Sequence, residues 1–263
     1  MILDRSRSIV VISVNGAIGP RFVGSYRTGR IVTSRGHMPT NVQIVDDVID
    51  RTLRSLIGWP GANGSSLRAV GGLVAETCGD GDHVEIGSLF GASALVAYRT
   101  KVELKRNGNI YCIDPMVFDD HEYCVRIDGN ESQKLLLKNQ HQIFFDNTRT
   151  CGGIKLIRER SNPWPLPKDQ RFATAFIDGW HYGDGPLNDA KTLVEIVDRA
   201  ILLDDVIPSY PDVYRAFLYL CSHPNWFLQD KLDRCALFVR RTGAIQIFTA
   251  EGVKHTHADE RED

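Results

Sequence analysis

The chain has 263 residues, 43% of them hydrophobic and 24% charged, and its 31 basic and 33 acidic side chains leave a formal net charge of -2. That length and apolar content suit one large domain with a sizeable core, and the balanced charge excludes the broad basic field that draws nucleic acid. No run of about 18 apolar residues occurs, so no membrane span is expected.

Residues 1 to 40, rich in Gly, Arg and Ser, read as a β-hairpin or an arm. Their apolar patch, Ile9-Val10-Val11-Ile12-Ser13-Val14, is too short for a bilayer, and a cleavable signal peptide is disfavoured. From Asn41 to Ile57, Val42, Ile44, Val45, Val48, Ile49, Leu53 and Leu56 recur at helical spacing. Gly58-Trp59-Pro60-Gly61 stops the pattern, which predicts an amphipathic cap helix. A second helix is expected over 66–77. Strands follow at 83–86, 109–113, 154–158, 173–178 and 200–204, with helices at 92–106, 134–145, 186–198 and 210–221 between them. Such alternation implies an α/β fold with a doubly wound, mostly parallel sheet covered by helices on both faces. Segments 233–240 and 244–249, on either side of Arg241-Thr242-Gly243, read as a closing hairpin, and the polar stretch after Gly252 reads as a disordered tail. The implied organisation is an arm and helical cap over 1–75, a cofactor-binding α/β domain over 76–252 and a tail over 253–263. Cys78, Cys112, Cys124, Cys151, Cys221 and Cys235 form no Cys-x-x-Cys pair, the pattern of reduced thiols in a cytoplasmic protein.

The most informative stretch is His83-Val84-Glu85-Ile86-Gly87-Ser88-Leu89-Phe90-Gly91-Ala92-Ser93, followed by Asn109-Ile110-Tyr111-Cys112-Ile113-Asp114. It reads as a strand, a tight glycine loop, a helix and a second strand tipped by a carboxylate. In such units glycines let backbone approach a ligand, and the acid accepts hydrogen bonds from ribose hydroxyls. Ligands of open α/β sheets bind at the carboxyl ends of the strands where strand order reverses, which nominates Gly87, Ser88, Gly91 and Asp114, with Ser93 on the helix that follows. The spacing lacks Gly-x-Gly-x-x-Gly, so a pyrophosphate-bearing dinucleotide, and with it an NAD-dependent oxidoreductase, is disfavoured. A plain structural glycine turn would have the same sequence.

With the later segments Ala173-Thr174-Ala175-Phe176-Ile177-Asp178-Gly179-Trp180-His181-Tyr182-Gly183-Asp184-Gly185 and Ala200-Ile201-Leu202-Leu203-Asp204-Asp205-Val206, the chain resembles the class I S-adenosylmethionine-dependent methyltransferases from about Val84 to Thr249. Within that class it is most similar to the macrocin-type and catechol-type metal-dependent O-methyltransferases. The resemblance implies a Rossmann-like methyltransferase fold of seven strands with the last antiparallel, S-adenosylmethionine as cofactor, Glu85 at its methionine end, and Ser161 and Asn162 along its adenine. Trp164 either stacks on that adenine or plugs the core.

Asp178 ends one strand and Asp204-Asp205 another, so three carboxylates meet on one rim, where they repel unless a cation is present. Oxygen ligands suit a hard ion, Mg²⁺ first, and the lack of a nearby His/Cys cluster argues against zinc. The alternative is that these acids cap loops and helices. In the resembling enzymes a divalent ion here binds and activates the substrate hydroxyl. Where macrocin-type relatives carry a second aspartate as general base this chain has Trp180, which makes His181 the next candidate; Trp180 is an aromatic wall or a packing residue. His121 and His141 carry no motif. The expected partner is a small hydroxylated acceptor, a sugar or a phenolic compound; the resemblance implies that segment 115–150 forms part of its pocket, where Phe118, His121, Tyr123, Phe144 and Phe145 would suit a ring-bearing substrate and would equally serve as lid core. Two other readings stay open: a metal-independent methyltransferase using His181, and a non-catalytic interaction module retaining the fold. The arm and cap helix leave both a homo-oligomer and a monomer open.

Overall fold

The computed structural model describes residues 39–58, 61–117 and 140–241 in full and, for 9–12, 122–127 and 131–136, the backbone alone. The first helix, α1 (Asn41–Ser55), starts where the sequence predicts it because Thr40 closes a capping box with Gln43: each side chain accepts from the other residue's backbone N–H. Helix α2 (Gly64–Leu73) is capped by Asn63, whose side chain accepts from the Ser66 N–H, and runs into a wider turn at Val74–Cys78. The expected helix over 66–77 is thus two pieces of different winding.

The main sheet contains β2 (His83–Ile86), β3 (Ile110–Ile113), β6 (Ile154–Ile157), β7 (Phe172–Ile177), β8 (Val197–Leu203), β9 (Trp226–Leu232) and β10 (Cys235–Arg240), in the order β6-β3-β2-β7-β8-β10-β9. The pairs β6-β3, β3-β2, β2-β7 and β7-β8 are parallel, and β10 runs antiparallel to both β8 and β9. Its alternating side chains feed two cores. Val84, Ile86, Ile201, Leu203, Ala236 and Phe238 pack under α5 (Gly185–Ile196) and α6 (Pro211–Ser222). Cys112, Leu202, Leu237 and Val239 pack under α2, α3 (Ala92–Glu103) and α4 (Gln140–Thr148). A sheet buried on both faces is what parallel crossovers require, and it accounts for the near-continuous apolar runs of β7 and β8. On the α2–α3 side, Val45, Val48 and Ile49 of α1 pack on Leu67, Ala92 and Val96, so the cap helix is part of the core.

Three elements differ from their sequence reading. Residues 131–136 form a strand, β5 (Glu131–Leu136), paired antiparallel with β4 (Glu122–Ile127), so the helix expected over 134–145 begins only at Gln140. The amino-terminal strand β1 (Ile9–Ile12) pairs with β4, not within the expected arm hairpin. The closing hairpin joins β9 to β10 through Asp233-Arg234, its second strand being the predicted 233–240; segment 244–249 and the tail lie outside the described residues. Among the described residues no helix is long and apolar enough to cross a membrane.

Candidate functional site

The sheet's hydrogen-bond ladder lines up the residues that end its strands. Asp114 N–H donates to Ile157, Gly87 N–H to Ile113, Asp178 N–H to Ile86 and Asp204 N–H to Ile177, at 2.9–3.1 Å. Asp114, Gly87, Asp178 and Asp204 therefore stand in one row across the carboxyl edge of β3, β2, β7 and β8. Strand order reverses between β2 and β7, the place where open α/β sheets leave a crevice. Gly87, at φ 85°, is needed there for packing: a Cβ would lie 2.1 Å from the carbonyl oxygen of Asp178. Its bareness lets the glycine loop and the acid-bearing loop touch.

Beyond Gly87 the chain turns tightly, with Gly91 N–H donating to Ser88 C=O at 2.7 Å, and α3 begins. Phe144 and Thr148 of α4 pack against Gly91, so this glycine also serves packing, and Phe144 belongs to the core, not to an acceptor pocket. Asp114 is buried and accepts from the backbone N–H groups of Ser88 and Leu89, both at 2.9 Å, and of Met116 at 2.7 Å, with Gln140 Nε2 at 3.4 Å. Four donors occupy the lone pairs of one carboxylate, so in this form the predicted ribose ligand pins the glycine loop to β3.

Glu85 is the opposite case. It is fully buried, neither carboxyl oxygen meets hydrogen-bond geometry, and the Ser88 hydroxyl beside it is likewise without a partner. Burial pushes its pKa up from 4.5 to about 7, while nearby Ser88, Ser93 and Cys112 pull it partly back. A buried carboxyl and hydroxyl left open beside a glycine loop fit the ammonium end of an amino-acid-bearing cofactor, which would supply the missing donors.

On the other side of Gly87, Asp178, His181 and Asp205 bring one ligand atom each within 4.8 Å of one another. His181 Nε2 lies 3.4 Å from Asp178 Oδ1 and 3.4 Å from Asp205 Oδ2, and its ring packs on Tyr210 with centroids 4.7 Å apart. Burial and the neighbouring acids raise the pKa of Asp178 and of Asp205; for His181 burial pulls down, but Asp178 first, then Asp205 and Asp204, more than offset it. Two carboxylates and an imidazole this close can share one proton or, with the imidazole neutral, one cation. The donor set of two carboxylate oxygens and an imidazole nitrogen fits a divalent ion, with Mn²⁺ suited at least as well as Mg²⁺.

Asp204, expected as a ligand, is turned away. Its Oδ1 accepts from Asp205 N–H at 2.8 Å and from the Cys235 thiol at 3.2 Å. In its place stands His181, expected only as a base. Sequence reasoning also missed Arg234, whose guanidinium pairs with Asp205 and lies 3.9 Å from Asp204. No motif marks it, because the β9–β10 turn meets the end of β8 only across the sheet. Asp189 on α5 was missed too; it is buried near the Ser161 hydroxyl, has one oxygen without a hydrogen-bond partner, and burial pushes it up to about 6, with Ser161 pulling partly back. The order of the strands, which sequence spacing does not give, is what sets it behind Gly179.

Ser161 thus lies near α5, while Asn162 is exposed and lines a cavity of about 540 Å³ with Pro115, Arg158 and Trp164. That cavity lies beside Asp114, on the side away from the acid cluster. Trp164 packs on the core and meets Phe172 edge to face at 6.4 Å, which favours its role as a plug. Trp180 and Tyr182 are 61% and 54% exposed and meet edge to face at 5.4 Å, leaving an aromatic surface beside His181. Phe145 is exposed on α4 and His141 lies half-buried on the same helix; Phe118 and His121 fall outside the described residues, as does the side chain of Tyr123.

No family model and no curated protein matches the chain. Among solved structures, it is similar to a putative O-methyltransferase from Klebsiella pneumoniae at 14% identity and a TM-score of 0.49, covering 80% of this chain and 92% of that one. It is also similar to the O-methyltransferase from Bacillus cereus in complex with SAH, at 10% identity and a TM-score of 0.47, covering 81% and 94%. A third is the SAH-bound Podospora anserina methyltransferase PaMTH1, at 14% identity and a TM-score of 0.48, covering 78% and 89%. The observed sheet order, with its switch point between β2 and β7 and a single antiparallel strand inserted beside β8, is what identifies the architecture. This chain has the Rossmann-like fold of the class I S-adenosylmethionine-dependent methyltransferases.

Proposed function

We propose that the protein transfers a methyl group from S-adenosylmethionine to a hydroxyl of a small ring-bearing molecule, a sugar or a phenolic compound. The observation that carries this reading is the contact between the two halves of the row: the glycine loop with its open Glu85 packs, through Gly87, on the loop that holds Asp178 and His181. A cofactor lodged against the first half places its reactive end beside the second. The cofactor supplies an electrophilic sulfonium methyl, and a divalent ion held by Asp178, His181 and Asp205 would make the acceptor hydroxyl more acidic.

The protein's own contribution is positional. Glu85 and Ser88 would hold the amino-acid end of the cofactor; Asp178 and Asp205 would orient the acceptor oxygen, directly or through the ion; Trp180 and Tyr182 offer ring faces on which a planar or pyranose acceptor stacks. A methyl group passed in line between two held atoms needs little else beyond exclusion of water and removal of one proton. The acceptor's proton has a route to Asp178 or, where His181 is neutral and not ligating, to His181.

A second reading keeps the transfer and drops the ion. It is favoured by Arg234, which already gives Asp205 a positive partner, and it assigns the proton to His181. Methyl transfer to a panel of catechols and phenolic glycosides, followed with labelled S-adenosylmethionine, separates the two. Activity lost to a chelator and restored by Mg²⁺ or Mn²⁺ supports the metal reading, activity indifferent to chelator supports the second, and absence of both cofactor binding and transfer contradicts both. Unpaired, mostly buried thiols at Cys78, Cys112, Cys151 and Cys235 support a cytoplasmic setting for the reaction.

A further inference from the structure

We propose that Arg234 is a built-in counter-cation of the acid cluster that competes with a divalent ion for the charge of Asp205 and so weakens its uptake. This rests on the reading of Asp178, His181 and Asp205 as a cation site.

The arginine is fixed from two sides. Its carbonyl accepts from Val206 N–H at 2.8 Å, tying the β9–β10 turn to the chain that leaves β8. The neighbouring Asp233 accepts from the Ser65 hydroxyl at 2.8 Å, tying the same turn to the start of α2. Held this way, the side chain reaches back over the carboxyl end of β8. Its Nη2 takes Oδ1 of Asp205, and its Nε, which has no hydrogen-bond partner, sits 3.9 Å from Oδ1 of Asp204.

The oxygens of Asp205 are divided between two cationic partners: Oδ1 faces Arg234, while Oδ2 faces His181 Nε2 at 3.4 Å. Three carboxylates, Asp178, Asp204 and Asp205, thus meet one permanent positive charge and one imidazole. An ion held by Asp178, His181 and Asp205 would face the guanidinium across a single carboxyl group, and two positive charges at that range repel in a half-buried site. Asp205 has φ 59°, a left-handed backbone that aspartate tolerates, and an ion on its Oδ2 would draw on the same carboxylate charge that Oδ1 lends to Arg234. Arg234 acts here as a positioning residue, setting how readily the cluster takes up metal and keeping the acids paired when no metal is bound.

The test uses the full chain and MnCl₂ alone, with free Mn²⁺ followed by electron paramagnetic resonance. Arg234→Gln, which keeps much of the stem and removes the charge, is expected to bind Mn²⁺ about 10-fold tighter or more than the unmodified protein. Arg234→Lys keeps a charge but lacks the planar fork that grips a carboxylate, so its affinity is expected between the two. That variant also retains a counter-charge for Asp205, so it stays informative if the glutamine variant does not fold. Equal or weaker Mn²⁺ binding in the variants overturns the proposal, and so does the absence of Mn²⁺ binding from all three proteins. Calorimetry of S-adenosylhomocysteine on the same preparations keeps the question of methyl transfer separate: cofactor binding without the predicted order of Mn²⁺ affinities removes the role of Arg234 and leaves the methyltransferase reading standing.

Discussion

Two fully buried ionisable side chains sit at opposite ends of the same sheet and are treated in opposite ways. At the amino end, Lys101 of α3 donates to the carbonyls of Gly79, Gly81 and Asn107 at 2.5–2.8 Å, using all three of its protons to tie the loops that lead into β2 and β3. At the carboxyl end, Glu85 has two oxygens that no donor meets in full hydrogen-bond geometry, with only the Ser88, Ser93 and Cys112 side chains close by. A charge that is fully partnered inside the protein holds the fold together, and one that is left open is costly unless something outside the chain completes it. The comparison sets two uses of a buried ionisable group within one sheet side by side: Lys101 binds loops together at the amino edge, and Glu85 stands beside the glycine loop at the carboxyl edge.

Lys101→Ala should break the amino end with the largest effect. It takes a donor from three half-buried carbonyls, of which only Gly81 keeps another, the Cys78 thiol at 3.2 Å, and a loss of about 3–5 kcal/mol is expected, read as a lower midpoint in urea unfolding. Folded variant at low temperature should still bind cofactor, since no atom of Lys101 reaches the carboxyl edge. A loss below about 1 kcal/mol would show that water replaces the ammonium and that the amino end is not closed.

Gly87→Ala is expected to cost about 2–4 kcal/mol, because the added methyl meets the Asp178 carbonyl at 2.1 Å and the residue must hold φ 85°. Unlike the lysine change it strikes both halves of the site, so binding of cofactor and of Mn²⁺ should fall together. Intact Mn²⁺ binding with lost cofactor binding would mean that the two halves are not coupled through this contact.

Glu85 sharpens the comparison through pH. Its carboxyl has a folded pKa of about 7 against an ordinary 4.5, so between those values the folded chain keeps a proton that the unfolded chain releases. Stability contributed by the protonated carboxyl is complete below about pH 4.5 and drains away as pH rises towards 7, by at most ~3 kcal/mol. Glu85→Gln should remove that slope and unfold at higher denaturant than the unmodified protein at pH 8, while binding cofactor less well. Parallel pH profiles for the two proteins would show that the carboxyl has partners in solution.

The smallest stability effect is expected for Trp180→Ala, within about 0.5 kcal/mol, since the ring is largely exposed. Its consequence should fall on the acceptor, as a raised KM for ring-bearing substrates with cofactor affinity unchanged.

The row of strand-end residues was legible in the sequence because parallel strands advertise themselves: each apolar run stops at a polar residue, and Gly87, Asp114, Asp178 and Asp204 are those residues. The same logic could not say which way a carboxylate turns. Asp204 and Asp205 are adjacent, yet one is drawn to Cys235 and the other to His181 and Arg234, and all three partners arrive from other parts of the chain. The helix expected over 134–145 starts late because Lys134-Leu135-Leu136, helix-forming in composition, belong to a strand whose pairing with β4 overrides it. Asp114 shows a subtler limit: its place is readable from the sequence, but not that one of its oxygens bonds the glycine loop while the other takes Met116 and Gln140.

The central claim is that the open carboxyl edge is a cofactor site, and titration of S-adenosylhomocysteine into the unmodified protein and Glu85→Gln by calorimetry tests it most directly. Saturable one-to-one binding that weakens in the variant is the predicted result. Absence of binding to the unmodified protein, with or without Mg²⁺, would contradict the account and leave the fold serving some other purpose.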